Sequence, residues 1–210
     1  MKTEVNPQDT TRAEAFELWM SSPMPMVTLT KTFDISRLLK VSKQRGIKLN
    51  TLLCWCIGKA ATQVDEFYLL PEQGKLFRYD RIAINVIVPN ARGGINSCDI
   101  PFSLSLNEFA QNYLSLTRQC VAECKSSFLD EYMIVGTSAV VKTEIDSIVN
   151  QYTDKFANPM LMWGKYRKHW LRTTLPISLQ FHHVQMDGGE AATFLDILQK
   201  EIKSLYPLIH

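Results

Sequence analysis

The chain has no run approaching the ~20 apolar residues that cross a bilayer. Its opening, MKTEVNPQDTTRAE, carries acids where a secretory signal needs an apolar core. From these two absences a soluble, cytoplasmic protein is expected, with no membrane partner. Charge of one sign is also lacking, since 23 Lys and Arg against 21 Asp and Glu leave a net +2. That balance does not favour nucleic acid as a partner. Internal repeats, low-complexity tracts and long Pro, Gly or Ser linkers are missing too. Residues 1–210 are therefore expected to form a single domain.

Cysteine is present but not patterned. The five thiols are odd in number and lack the spacing of a disulfide framework. Cys120 and Cys124 stand one helical turn apart, as a metal pair would. They also continue a stripe through Phe109, Tyr113 and Leu116, which marks them as packing residues. No histidine lies near them in sequence, so no metal site is expected.

Periodicity supplies the elements. TRAEAFELWM (11–20) reads as a helix and MVTLTK (26–31) as a strand. Asp34 can cap the helix ISRLLKVSKQR, which stops at Gly46. Asn50 can cap a second, buried helix, TLLCWCIGKAATQV. KLFRYDR and IAINVIVP read as strands, and NARGGINSCD (90–99) as a polar connection. Ser105 and Glu108 form a capping box for a long helix. EYMIVGTSAV is a strand, 143–160 a loop with some helical character, MLMWGKYRK a strand, and 175–182 another that leads to a helix from Gly188. The elements do not alternate as βαβ units. An α/β fold with a mixed sheet in a two-layer sandwich is expected.

The chemistry concentrates in HHVQMDGG (182–189). The plain reading is a strand end followed by helix-start residues, with Asp187 as N-cap and Glu190 three positions on. The sharper reading starts from imidazole, the side chain best suited to remove a proton near neutral pH. On a strand His182 and His183 point to opposite faces, so only one of them can be that base. Asp187 need not touch it, and can instead hold the turn by pairing with a cation from elsewhere in the chain.

His182-His183-x-x-x-Asp187-Gly188 resembles the HHxxxDG signature of chloramphenicol acetyltransferases and their acyl-CoA-dependent relatives. Arg12-Ala-Glu14-Ala-Phe16 is similar to that family's Arg-x-Glu-x-Phe helix. Thr137-Ser138-Ala139 is similar to its serine strand, and Lys165-Tyr166 followed by Pro176 keeps its spacing to the histidines. The resemblance covers nearly the whole chain and implies a two-layer α/β fold assembled as a homotrimer, with active sites at subunit interfaces. It implies acetyl-CoA as cosubstrate, no metal, and a small-molecule hydroxyl as acceptor. By the same resemblance His183 is the general base and Ser138 the hydroxyl that donates to the oxyanion. Arg12 and Asp187 become the ion pair that shapes the turn, and Tyr166 falls in the coenzyme A region.

The departures fall where the acceptor binds. The family's helix-end aromatic pair is here Leu18-Trp19, its strand phenylalanine is Val27, and a hydroxyl residue before Lys165 is Met162. Trp19, Val27 and Met162 are therefore the expected acceptor-binding positions. Acetyl transfer is better supported than chloramphenicol as the acceptor. Two alternatives stay open: transfer to another hydroxyl or to a thiol, as in dihydrolipoyl acyltransferases, and a non-catalytic member of the fold.

Overall fold

The computed structural model describes residues 1–153 and 155–205. The first half holds β1 (Lys2–Val5), α1 (Ala13–Trp19), β2 (Met26–Asp34), α2 (Ser36–Arg45), α3 (Leu49–Ala61), β3 (Leu69–Glu72) and β4 (Lys75–Tyr79). Next come β5 (Ile82–Pro89), β6 (Ile95–Pro101), α4 (Leu106–Glu123) and β7 (Met133–Ala139). The chain continues through β8 (Met160–Trp163), β9 (Arg167–Lys168), β10 (Thr173–His182) and α5 (Gly188–Ser204). The main sheet has the order β2-β10-β8-β7-β5-β6, with β9 beside β10, and a small sheet has the order β1-β4-β3. β7 runs parallel to β5 and β8 while the remaining pairs are antiparallel, so the main sheet is mixed. Among the described residues no helix is long and apolar enough to cross a membrane.

Side chains alternate across a sheet, and the two faces of this one differ in chemistry. Leu175, Ile177, Leu179 and Phe181 of β10 face the helices, as do Leu161 and Trp163 of β8, Val135 of β7 and Ile84 of β5. All belong to one buried cluster with Leu52, Ile57, Phe109 and Phe194 of the helices. α3 lies at its centre, packed against α2, α4 and α5. This is the expected two-layer α/β sandwich.

The opposite face carries Thr28 and Thr30 of β2, Ser178 and Gln180 of β10, Ser138 of β7, Asn85 of β5, and Ser97 and Asp99 of β6. Among the described residues no helix covers it. Residues 143–153 lie over part of it, donating from Ile148 N to Ser178 Oγ (2.9 Å) and from Asn150 N to Gln180 Oε1 (2.6 Å).

Local signals hold in part. Asp34 accepts from Ser36 N but stands one residue before the cap position, Ile35, and Gly46 ends α2 at φ 65°. The strand expected over 160–168 is broken into β8 and β9, and no helix forms among the described residues of 143–160. Ser105 Oγ accepts from Glu108 N, but the Glu108 carboxylate turns to Ser103, so only half of the capping box forms. Asn50 lies inside the first turn of α3, whose cap position is Lys48. The polar stretch 90–99 is not wholly a connection, because β6 begins at Ile95 and pairs with β5. Cys120 is buried in contact with Cys98, while Cys124 ends α4 in the left-handed region at φ 51°.

Gly164, between β8 and β9, is where the covering segment meets the sheet. A Cβ there would lie 2.8 Å from Thr143 O and 2.9 Å from Ile145 N, both backbone atoms that cannot rotate away. Gly164→Ala is expected to destabilise the fold by ~1–3 kcal/mol through overpacking. Urea denaturation measures this, and an unchanged midpoint would mean that the segment yields freely.

Candidate active site

β10 ends at His182, the chain turns through residues 183–187, and α5 begins at Gly188. Glu190 Oε2 accepts from Asp187 N at 2.9 Å, the return half of a capping box that starts the helix. The two histidines diverge as alternation demands. His182 is 2% exposed, and its Nδ1 accepts from Val184 N at 3.1 Å. Burial pulls its pKa down to about 4, with His183 adding to the shift, so His182 is a neutral core group near neutral pH. His183 faces outward with 30% of its side chain exposed, and its backbone N–H donates to Pro25 O.

One guanidinium closes the turn. Arg12, at the start of α1, is 3% exposed. Its Nε donates to Val184 O (2.9 Å) and its Nη2 to His183 O (2.7 Å). Nη1 and Nη2 grip the Asp187 carboxylate at 2.7 and 2.8 Å. A buried cation is tolerated only when paired and hydrogen-bonded, and here four of the five N–H donors find acceptors, two of them on one carboxylate. The Arg12 hydrogen bond holds the Asp187 carboxyl below the usual carboxylate range. The small sheet braces the same turn. Val184 packs with Leu69 and Leu76, joined by Phe16 and Met20, and Gln185 Nε2 donates to Leu69 O.

The other end of α1 reaches the imidazole. Trp19 stacks on His183 with ring centroids 4.9 Å apart and planes 4° from parallel. On the opposite edge, His183 Nδ1 lies 3.0 Å from Asp187 Oδ1, an approach that lacks hydrogen-bond geometry and is electrostatic. Nδ1 is buried, so the exposed part of the ring is the side that bears Nε2. The imidazole is thus fixed by its backbone, by a ring face and by a carboxylate that Arg12 has already neutralised.

The remaining expected positions spread across the sheet. Ser138 is half-buried on the open face, and its hydroxyl has no hydrogen-bond partner among the described residues. Its neighbour Thr137, by contrast, is committed to Asn85 O. Met162 is buried beside Ser138 and pairs across β8 with Ser178. Tyr166 and Val27 both pack against the core cluster, and Val27 pairs with Phe181. Met26, one residue earlier, lines a cavity instead. Ser138 is in register with Ser178, five residues before His183 on β10. This offset is about 16 Å along the strand and about 10 Å across two strand spacings. Within one chain His183 and Ser138 do not meet.

A cavity lies beyond the three expected acceptor positions, and the polar stretch 90–99 supplies part of its wall. The cavity occupies about 440 Å³ on the open face, with Asn85, Ser97, Asp99, Gly136, Met160 and Gln180 among its walls. The available signal was a lone Asn in the apolar strand IAINVIVP and the alternation of Ser97 and Asp99 with Cys98 and Ile100.

Changes at either end of α1 are expected to act differently. Arg12→Ala and Asp187→Ala should each destabilise the turn, and the double variant should cost less than the sum. A coupling of ~1–3 kcal/mol is expected in a denaturation cycle, reduced from the fully buried case because Asp187 is half exposed. Strict additivity would show that the contact carries no energy. Trp19→Ala should leave stability within ~1 kcal/mol, since its ring is already partly exposed, while freeing the imidazole to rotate.

The chain was compared with known proteins. The family model described as chloramphenicol acetyltransferase matches residues 2–199. Chloramphenicol acetyltransferase 3 of Escherichia coli is 26% identical over 204 residues, covering 94% of this chain and 95% of that protein. A solved chloramphenicol acetyltransferase superposes with a TM-score of 0.81 at 19% identity, covering 96% of this chain and all of the other. A probable dihydrolipoamide acetyltransferase from Listeria monocytogenes superposes at 0.73 with 13% identity, covering 99% of this chain and 96% of that one. With the family model spanning all but the two ends of the chain, this protein belongs to the chloramphenicol acetyltransferase family.

Proposed function

We propose that the protein transfers the acetyl group of acetyl-CoA to the hydroxyl of a small molecule, in sites shared between subunits of a homotrimer. As a member of its family the chain is an acyltransferase. The observation that carries the finer reading is an imidazole fixed on three sides, together with an uncommitted serine hydroxyl on the same sheet.

In this reading His183 Nε2 takes the acceptor's hydroxyl proton as the oxygen attacks the thioester carbonyl. The tetrahedral oxyanion accepts a hydrogen bond from Ser138 Oγ. Collapse breaks the C–S bond, and the imidazolium returns its proton to the leaving thiolate, giving an acetyl ester and free coenzyme A. Asp187 stabilises the imidazolium without taking the proton, since Arg12 keeps it ionised. Tyr166, flanked by Lys165, Arg167 and Lys168, is assigned to binding the polyanionic coenzyme. The register separation of His183 and Ser138 supports completion of each site by a second copy.

His183→Ala should lower kcat by ~10²–10⁴, the usual range for a general base. Ser138→Ala should lower it by ~10²–10³ with a smaller change in KM. Trimers assembled from an equal mixture of the two variants should regain roughly a quarter of the sites if each site takes one residue from each of two chains. Thiol release from acetyl-CoA measures all three. Mixed trimers that stay inactive would place both residues in one subunit's site.

Chloramphenicol should be a poor acceptor. The cavity floor is Asn85, Ser97, Asp99 and Gln180, with Phe128 and Phe156 exposed near it. A nitrophenyl ring laid on that floor displaces water without replacing its hydrogen bonds, at ~1–3 kcal/mol for each group left unsatisfied. This corresponds to a KM roughly tenfold to a hundredfold above that of an acceptor that satisfies them. A micromolar KM with fast turnover would mark a true resistance enzyme and overturn this reading.

A further inference from the structure

Asp99 is a carboxylate without a counter-ion. It is 2% exposed at the floor of the 440 Å³ cavity, and it forms no salt bridge among the described residues. Its oxygens accept from Asn85 Nδ2 (2.6 Å) and Leu129 N (2.9 Å). Burial pushes its pKa up, the nearby Asp130 adds to the rise, and the two N–H donors oppose it without cancelling it, so a cation is what would hold the carboxylate ionised here. The adjoining cavity holds two lysines, but Lys2 is engaged by Glu72 and Lys155 forms no ion pair with Asp99. Both amide hydrogens of Asn85 are spent, on Asp99 and on Ser97. What the floor offers a ligand is therefore mainly hydrogen-bond acceptance and negative charge. A buried charge that lacks a partner is costly, and a site that keeps one open to a cavity is built to be completed by a cation. The rest of the cavity is apolar where Met26, Ile134 and Met160 line it.

We infer that the acceptor carries an amine whose ammonium sits on Asp99, which makes the substrate class small amino alcohols with an apolar body. The inference rests on the acyltransferase reading and takes this cavity, on the same sheet face as Ser138, as the acceptor pocket. The seated amine is protonated and not nucleophilic, so the product is the ester and not the amide.

Phenylalaninol and hydrocinnamyl alcohol differ by the amine alone and provide the test. In the wild-type protein kcat/KM for phenylalaninol should exceed that for hydrocinnamyl alcohol by about tenfold or more, chiefly through KM. Asp99→Asn should bring the ratio close to one, and the product should be cleaved by hydroxylamine as an ester is. Titration calorimetry of phenylalaninol on the wild-type protein without acetyl-CoA reads the amine site apart from the chemistry. If Asp99→Asn does not fold, competitive inhibition of hydrocinnamyl alcohol acetylation by phenethylamine decides in its place. Phenylalaninol binding that is lost in Asp99→Asn, with no thiol release on any acceptor, would keep the amine site and overturn the acetyl-transfer reading. Equal kcat/KM for the two alcohols, or no phenylalaninol binding, would overturn the amine site.

Discussion

Everything at the HHxxxDG turn depends on one guanidinium that water does not reach. Arg12 sits at the start of a helix of seven residues, remote in sequence from the turn it holds. Two backbone carbonyls and one carboxylate converge on it, and each would be costly to bury alone. The mutual need is the constraint. The cation must be buried to reach the carbonyls, and the turn must take this one shape to satisfy the cation. Because the pair is neutral as a unit, it fixes the backbone of His183 without adding net charge beside the imidazole. α1 then carries that rigidity to the ring itself, since Trp19 at its other end stacks on the face of His183. A short helix with no fully buried residue of its own is held in place by the contacts at its two ends.

The division of labour between the sheet faces follows from the same economy. Stability comes from the helix side, where apolar alternation packs four helices over seven strands. The open side is free to be polar because it is not needed for the core. Ser178 and Gln180 use that freedom to tie down the covering segment, and Ser138 keeps its hydroxyl unspent. Asp99 goes furthest, a buried carboxyl that forms no salt bridge among the described residues. A polar sheet face only partly covered by its own chain is also the kind of surface that a second copy can complete. The proposed trimer therefore needs no feature beyond those already present.

How much of this was legible depended on whether function and periodicity coincided. The turn was readable because its residues are contiguous and its helix-start grammar is strong. Arg12 was readable only through resemblance, since nothing in its local sequence points toward Asp187. The core strands announced themselves by apolar alternation, and β10 was found to within two residues. β6 was read as a connection because one of its faces lines a polar cavity, so Ser97 and Asp99 imitate loop composition. β1 was invisible for a related reason. It forms an edge of a small sheet, and Lys2 and Glu4 pair with Glu72 and Lys75 across it, so its charges serve strand contacts while looking like a solvated terminus. Val27 is expected at the acceptor, but its parity on β2 packs it against the core and leaves Met26 at the cavity. A shift of one residue along a strand exchanges core for cavity.

Burial separates the two histidines, and here the physics decides more than the motif does. Burial takes His182 down to about 4, so it stays neutral and can serve as a hydrogen-bond acceptor for the turn, which it does through Val184 N. Its folded-state pKa lies below the ordinary value, so its contribution to stability is present above that value. The contribution is lost as pH falls from there toward 4, when the buried ring must charge. His183 lies outside the core, with 30% of its side chain exposed. Burying one imidazole thus secures the backbone geometry that aims the other, through the bond from Val184 N.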